Sequence, residues 1–282
     1  MKITTINVNG VRAAFRKGMG LWLQQHDADV LCLQETRADE KDVSALFGDS
    51  WDTQVYPCRI KGRAGVALAV RVDSGWSLST VEKGLPEELY DASGEPDVDS
   101  GRWIEGTLTN TAGTKLRVVS AYLHSGELGT EKQAQKMALL ERVSQRLSQF
   151  RESATATVVC GDFNIVRTES DIKNWKGNHN RNSGVMDEEI AYLDAWMSDE
   201  LDAAGSQPMV DVVRALHPDT VGPYTWWSWR GKAFDNDAGW RIDYQMAQPH
   251  LARLARDAIV HKASSYDARF TDHAPLSVTY EI

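Results

Sequence analysis

Residues 157–164 read Thr-Val-Val-Cys-Gly-Asp-Phe-Asn: an apolar run rich in β-branched residues that stops on an acid and, two positions later, on an amide. The run has the length and composition of a buried strand. Ending it on Asp162 and Asn164 places polar groups where a strand leaves the core. Working outward, similar strand-like runs recur at 2–8, 30–34, 66–70, 103–108, 116–122, 242–246 and 276–280. Helical spacing separates them. Between 131 and 150, Met137, Leu140, Val143, Leu147 and Phe150 recur every three or four residues and define one apolar face. Ile190, Leu193 and Met197 do the same between 187 and 197.

The strands and helices do not alternate regularly, and no glycine-rich dinucleotide fingerprint follows a strand. The pattern therefore predicts a layered α/β sandwich rather than a doubly wound sheet. No fixed-period repeat or long Gly/Ser/Pro linker interrupts the chain, so residues 1–282 read as one domain, with 84–101 as a surface excursion.

At 282 residues and 42% apolar composition the chain can bury a sizeable core. It has no run of about 20 apolar residues and does not open on a secretion signal, which argues against a membrane partner. Cys32 and Cys160 sit inside apolar runs and the cysteine count is odd, which predicts reduced thiols and a cytoplasmic setting. The formal charge of −9 argues against nonspecific coating of nucleic acid. It leaves room for a local basic track beside a carboxylate cluster.

Acids and amides interrupt the strands repeatedly. Asn7 and Asn9 are two apart, so in a strand they share a face. Glu35 follows Val-Leu-Cys-Leu-Gln, Asp243 interrupts Trp-Arg-Ile-Asp-Tyr, and Asp272 and His273 precede the last strand. Singly, each has a plain structural reading as a turn residue or a satisfied histidine. Together, carboxylates at the ends of apolar strands require partners or a cation. All-oxygen donors suit Mg²⁺ and hydrolysis of a phosphate ester. The chain carries neither zinc-like Cys/His spacing nor a Gly-x-x-x-x-Gly-Lys phosphate loop.

The segments INVNGVRAA from Ile6, LQET from Leu33, GVA from Gly65, SAYLHSGE from Ser120, GDFNI from Gly161, IKNWKGN from Ile172, YTWWSWRGKAFDNDAGWRIDY from Tyr224 and TDHAP from Thr271 also carry a resemblance. In this order, across nearly the whole chain, they resemble the exonuclease III family of DNA repair nucleases. The resemblance implies a four-layered α/β sandwich, two mixed β-sheets face to face with helices outside. It also implies Mg²⁺-dependent cleavage of double-stranded DNA at abasic sites and at blocked or ordinary 3′ ends, by a monomer, with Mn²⁺ as a substitute ion. On that basis Glu35 is the principal metal ligand, with Asn7 and Asp272 contributing. Asp162 activates water, Asn164 holds the water or phosphate, Asp243 orients His273, and Tyr122 contacts the phosphate or leaving group. Trp226 and Trp240 would border the pocket for a base-free sugar, with Trp227 and Trp229 as packing residues. Arg12, Asn174, Lys176 and Asn178 would meet the DNA backbone.

Two departures from the family pattern bear on substrate preference. His124 and Ser125 stand where Pro and an amide are common, so a DNA contact there is expected to differ. The 178–184 loop reads one residue longer than usual, and Val185 replaces a common aromatic. Two rival functions remain at this level: a superfamily phosphodiesterase of lipid or inositol phosphates, and a noncatalytic DNA-binding protein on the same fold. The tryptophan segment and KNWKGN disfavour the first, and the intact set of acids and His273 disfavours the second.

Overall fold

The computed structural model describes residues 1–200 and 208–282. Its strands are β1 (Lys2–Asn7), β2 (Val30–Gln34), β3 (Trp51–Tyr56), β4 (Val66–Arg71), β5 (Trp76–Lys83), β6 (Trp103–Asn110), β7 (Lys115–Tyr122), β8 (Ala156–Asp162), β9 (Met197–Ser198), β10 (Met209–Asp211), β11 (Asp243–Ala247), β12 (Ala255–Val260) and β13 (Leu276–Tyr280). They form a six-stranded sheet in the order β12-β13-β1-β2-β4-β3 and a seven-stranded sheet in the order β5-β6-β7-β8-β11-β10-β9. Both are mixed: β1 runs parallel to β2 and antiparallel to β13, while β7 runs parallel to β8 and β8 antiparallel to β11.

Strand periodicity explains the layers. Val30 and Cys32 of β2 share the central core with Val118 of β7 and Val158 and Cys160 of β8, so this core lies between the sheets. The alternate residues Leu31 and Leu33 face outward under the helices Val11–Arg16, Met19–Gln25 and Glu40–Phe47. On the other sheet, Val119, Ala121 and Val159 face outward under Glu131–Arg151 and Asp187–Trp196. Strands buried on both faces read as unbroken apolar runs, and this is why 30–34 and 157–160 were conspicuous in the sequence. The expected four layers are therefore present.

Differences from the sequence reading have physical causes. Among the described residues β3, β12, β5 and β9 are the sheet edges; β3 and β12 each bury only two residues and β5 only one. Edge strands face solvent and carry polar residues, so they lack an apolar run. Residues 84–101 are not merely a surface excursion. Leu85, Asp99 and Ser100 are buried, and Asp99 accepts from His124 Nε2 at 2.7 Å and Arg142 Nη1 at 3.0 Å. All three cysteines are free. No described helix is long and apolar enough to cross a membrane.

A buried ion cluster holds the chain that leads into β11. Arg241, 1% exposed, places Nε 2.7 Å from Asp171 Oδ1 and Nη1 2.8 Å from Asp211 Oδ2. Arg214 adds a second guanidinium to Asp171 at 2.5 Å. Arg241→Met should leave both acids buried with incomplete compensation and lower unfolding free energy by about 3–5 kcal/mol, measured by urea denaturation. A separate pH effect arises at His261, which packs edge-on against Trp22 and His26. Burial, with His26 and Lys2 adding to it, lowers its pKa to about 4. The fold therefore holds this ring neutral, and the unfolded chain takes up its proton first. The contribution is complete above the ordinary histidine value of about 6.5 and is lost as pH falls from there towards 4. His261→Gln should reduce the slope of melting temperature against pH in that window relative to the parent protein.

Candidate active site

Two strand ends, one in each sheet, use the same local device. β1 ends on Asn7, and Asn9 then takes a left-handed φ of 45° while its backbone N–H donates to Asn7 Oδ1 at 3.0 Å. β8 ends on Asp162, and Asn164 takes a φ of 52° while its backbone N–H donates to Asp162 Oδ1 at 2.9 Å. Asn tolerates this conformation better than most residues, and the side-chain acceptor two positions earlier closes each turn. The equal spacing of the two pairs therefore reflects a turn rather than a shared strand face, a correction to the reading of Asn7 and Asn9.

Sheet register brings the other groups in. Tyr122 pairs with Asp162 across β7 and β8, and Asp243 pairs with Asp162 across β8 and β11, so the three stand side by side. In the other sheet Asn7 pairs with Gln34, one residue before Glu35. Asn7 Nδ2 donates to Glu35 Oε1 at 3.0 Å and to Asp162 Oδ2 at 2.8 Å, joining the sheets. Asn164 Nδ2 also reaches Asp162 Oδ2, at 3.2 Å. His273 Nδ1 lies 2.8 Å from Asp243 Oδ2, and its Nε2 lies 3.8 Å from Asp162 Oδ2. Asp272 accepts from Asn9 Nδ2 at 2.9 Å and Trp226 Nε1 at 3.1 Å. The eight residues expected to act in chemistry or metal binding thus form one connected group.

Burial sets the electrostatics. It raises the Asp162 pKa, His273 and Asn7 oppose it, and Asp243 and Glu35 add to it, leaving the group at about 7. Burial alone would discharge His273, but Asp243, with Asp162 and Asp272, overcomes it and raises the imidazolium to about 10. Burial first, and then Glu35 and Asp162, push the Tyr122 phenol well above its ordinary value, so it remains a donor. Asp272 is held below the usual range: burial opposes ionisation, but His273, Asn9 and Trp226 outweigh it.

The donors fit a cation. Glu35, Asp162, Asp243 and Asp272 carry more negative charge than His273 and the rim residue Arg37, which pairs with Glu35, can neutralise. Asp243 Oδ1 is buried with no hydrogen-bond partner among the described residues. Both features suit a divalent ion. Asp162, Asp243 and His273 offer ligand atoms within 4.8 Å of one another and are able to hold a metal. However, an imidazolium that donates to Asp243 is a poor ligand, whereas Glu35, Asp272 and Asn7 carry the oxygen donors that a hard cation takes.

Beside this group, Trp226 and Trp240 meet edge to face at 5.6 Å. They line a cavity of about 580 Å³ with Asn164, Asn178, Arg181 and Ser183. Trp227 is 2% exposed and packs on Phe234, in line with a packing role. Asn174, Lys176 and Asn178 border an adjoining groove, and Asn178 lines both concavities. Arg12 stands apart on the surface, paired with Asp42 at 2.8 Å. His124, where an altered DNA contact is expected, turns inward to Asp99 and is buried. Val185 packs with Val166, Ile172 and Ile242 beneath the two tryptophans. Sequence reasoning missed Thr271, whose hydroxyl donates to Asn7 O at 2.8 Å, and Thr225, whose hydroxyl accepts from Asp243 N at 3.1 Å. Each adjoins a motif acid or aromatic, but a lone threonine carries no signal of its own.

Residues 4–273 match the Endonuclease/Exonuclease/phosphatase family. An exodeoxyribonuclease of Bacillus subtilis is 30% identical over the full length of both chains. The DNA repair nuclease APEX1 of Danio rerio is 29% identical over 99% of this chain and 81% of its own. Among solved structures, an AP endonuclease from Archaeoglobus fulgidus aligns with a TM-score of 0.78 and 26% identity, and the 3′-5′ exonuclease NExo from Neisseria meningitidis with 0.76 and 26%, each over the whole of both chains. With the two sheets, the paired strand-end turns and the acid cluster between them, these similarities establish that the chain belongs to the Endonuclease/Exonuclease/phosphatase family.

Proposed function

We propose that this protein is a metal-dependent DNA repair phosphodiesterase that cuts duplex DNA 5′ to abasic sites and trims or unblocks 3′ ends. Mg²⁺ is the proposed ion, with Mn²⁺ as a substitute. The observation that carries this reading is the row Tyr122–Asp162–Asp243 facing Asn7 and Glu35 beside a tryptophan-walled cavity. The relatives named for exodeoxyribonuclease and DNA repair nuclease activity support it.

Glu35, Asp272 and Asn7 would hold the ion, whose bound charge supplies Lewis-acid stabilisation to a nonbridging phosphate oxygen. The protein's own groups do the rest. Asp162 orients a water and takes its proton, while Asn164 fixes the water or the phosphate beside it. Asp243 orients His273 and holds it as the imidazolium, leaving Nε2–H to meet negative charge developing on the phosphate. Tyr122, held protonated, donates to the phosphate or the leaving oxygen. Asn174, Lys176 and Asn178 follow the backbone along the adjoining groove, and Arg12, apart from that groove, adds a phosphate contact of its own. Lys176 and Arg181 give this face local positive charge within an acidic molecule. The same reading takes the protein as a monomer in the cytoplasm, where its free cysteines remain reduced.

Incubation with Mg²⁺ and a duplex bearing one abasic analogue, beside an intact duplex and a lipid phosphodiester, tests the function. The DNA substrates should be cut, the lipid spared and all cleavage abolished by chelator; cleavage of the lipid alone would overturn the reading. In the same assay Asp162→Asn should lower kcat by at least ~10²-fold while DNA affinity holds, because shape is kept and the proton acceptor is lost. Weakened binding with unchanged kcat would instead assign Asp162 to DNA positioning.

The tryptophan cavity generates a second expectation. An ordinary nucleotide must be unstacked before it leaves the duplex, at a cost of a few kcal/mol, whereas an abasic sugar has no base to extract. Replacing Trp226 and Trp240 together with Ala should reduce abasic-site cleavage more than hydrolysis at a frayed 3′ end. Equal loss of both rates in a protein of unchanged melting temperature would contradict the cavity assignment.

A further inference from the structure

Behind the wall of the cavity lies an ion pair to which the chemistry above gives no part. Lys136 and Glu189 have fully buried side chains, with Nζ and Oε1 2.8 Å apart. They come from different helices, Glu131–Arg151 and Asp187–Trp196. Lys136 lies on the helix face that otherwise packs Leu140, Val143 and Leu147 into the core, where an unpaired ammonium would be costly.

Their remaining hydrogen bonds reach the cavity lining and the turn beside it. Lys136 Nζ donates to Asn164 O at 2.9 Å and lies 3.5 Å from both Ser125 O and Ser183 Oγ. Glu189 Oε1 accepts from Gln133 Nε2 at 2.9 Å and Ser183 Oγ at 3.0 Å. Glu189 Oε2 accepts from the backbone N–H of Gly184 at 2.5 Å and of Met186 at 3.2 Å. Ser125, Gly126, Asn164 and Ser183 all line the tryptophan-walled cavity. Two turns that border it, one at 125–126 and one at 183–186, are therefore fastened to the same two charges.

Two glycines show how closely the parts approach. A Cβ on Gly126 would come within 2.2 Å of Ser183 Oγ and 2.5 Å of Gln133 Oε1, at a φ of +71°. A Cβ on Gly184 would come within 2.6 Å of Asn164 O and 3.6 Å of Trp240 Cζ3, at a φ of +88°. The turns thus meet each other, Asn164 and a tryptophan wall with no side chain between them.

We infer that Lys136 and Glu189 are positioning residues that set the width of the tryptophan-walled cavity and the placement of Asn164, and thereby the preference for a base-free sugar over a normal nucleotide. The inference rests on the proposed reaction. It differs from a purely structural role because Lys136 reaches Asn164, Ser125 and Ser183 and Glu189 reaches Ser183, all of which line the cavity. A buried pair can often be exchanged for apolar residues of similar volume without loss of stability, whereas removing one partner is strongly destabilising. The test is therefore the double variant Lys136→Met/Glu189→Leu, with Glu189→Gln as a second variant that keeps shape and removes charge.

Melting temperature, hydrogen exchange at 182–186 and 125–127, and kcat and KM on the abasic and 3′-end substrates are measured together. In a variant that melts like the parent protein, exchange in the two turns should rise at least ~10-fold. The ratio of abasic to 3′-end kcat/KM should fall at least ~10-fold, mainly through kcat on the abasic substrate. Unchanged exchange and an unchanged ratio would overturn the inference, as would parallel loss on both substrates. Should the parent protein cut neither duplex, the proposed reaction fails, and the exchange measurement still decides whether the pair holds the turns.

Discussion

One carboxamide joins the two halves of the site. Asn7, at the end of a strand in one sheet, donates from Nδ2 to Glu35 in its own sheet and to Asp162 in the other. A buried carboxylate and a partly buried one can face each other across the seam only if such donors and a cation offset their repulsion. The surrounding structure serves that requirement. Thr271 holds the Asn7 carbonyl, Asn9 holds Asp272, and His273 sets a positive charge between Asp243 and Asp162. Burial first, with Asp243 and Glu35 adding to it, keeps the Asp162 pKa raised in spite of His273 and Asn7.

The fold makes this arrangement rigid. Strands buried on both faces cannot slip in register without moving every apolar side chain to the wrong layer. Tyr122, Asp162 and Asp243 therefore stay level with one another across three neighbouring strands. The catalytic groups sit at strand ends, where the backbone can leave the ladder, and the left-handed residues Asn9, Glu35 and Asn164 cluster there. Conformations that are sparsely populated elsewhere are held in place by the hydrogen bonds that define the site.

Buried charge recurs away from the reacting groups, in a supporting capacity. Arg241 with Asp171 and Asp211 fixes the chain entering β11, two residues before Asp243. Lys136 with Glu189 fastens the turns opposite the tryptophan walls. Asp99 with His124 and Arg142 ties the 84–101 segment to the residues that follow Tyr122. Each network immobilises a loop at the rim by connecting it to a helix or a strand, since a loop has few apolar contacts of its own with which to do so.

The unbroken apolar runs, the helical face from Met137 to Phe150 and the acids that end the strands were all legible in the sequence, because each is a local pattern with a local cause. Motif order extended that reading to the catalytic group, and the structure brings the eight expected chemical and metal residues together. Edge strands escaped because solvent removes the periodicity that marks a buried strand. Lys136 on an apolar helix face and the inward turn of His124 escaped for a different reason. Whether a charged or polar side chain faces water or a buried partner depends on residues distant in the chain, Glu189 for the one and Asp99 for the other. Sequence by itself determined which segments form layers and which residue types carry the chemistry. Tertiary structure alone decided which polar groups meet, because burial and pairing are properties of the assembled core rather than of any local stretch.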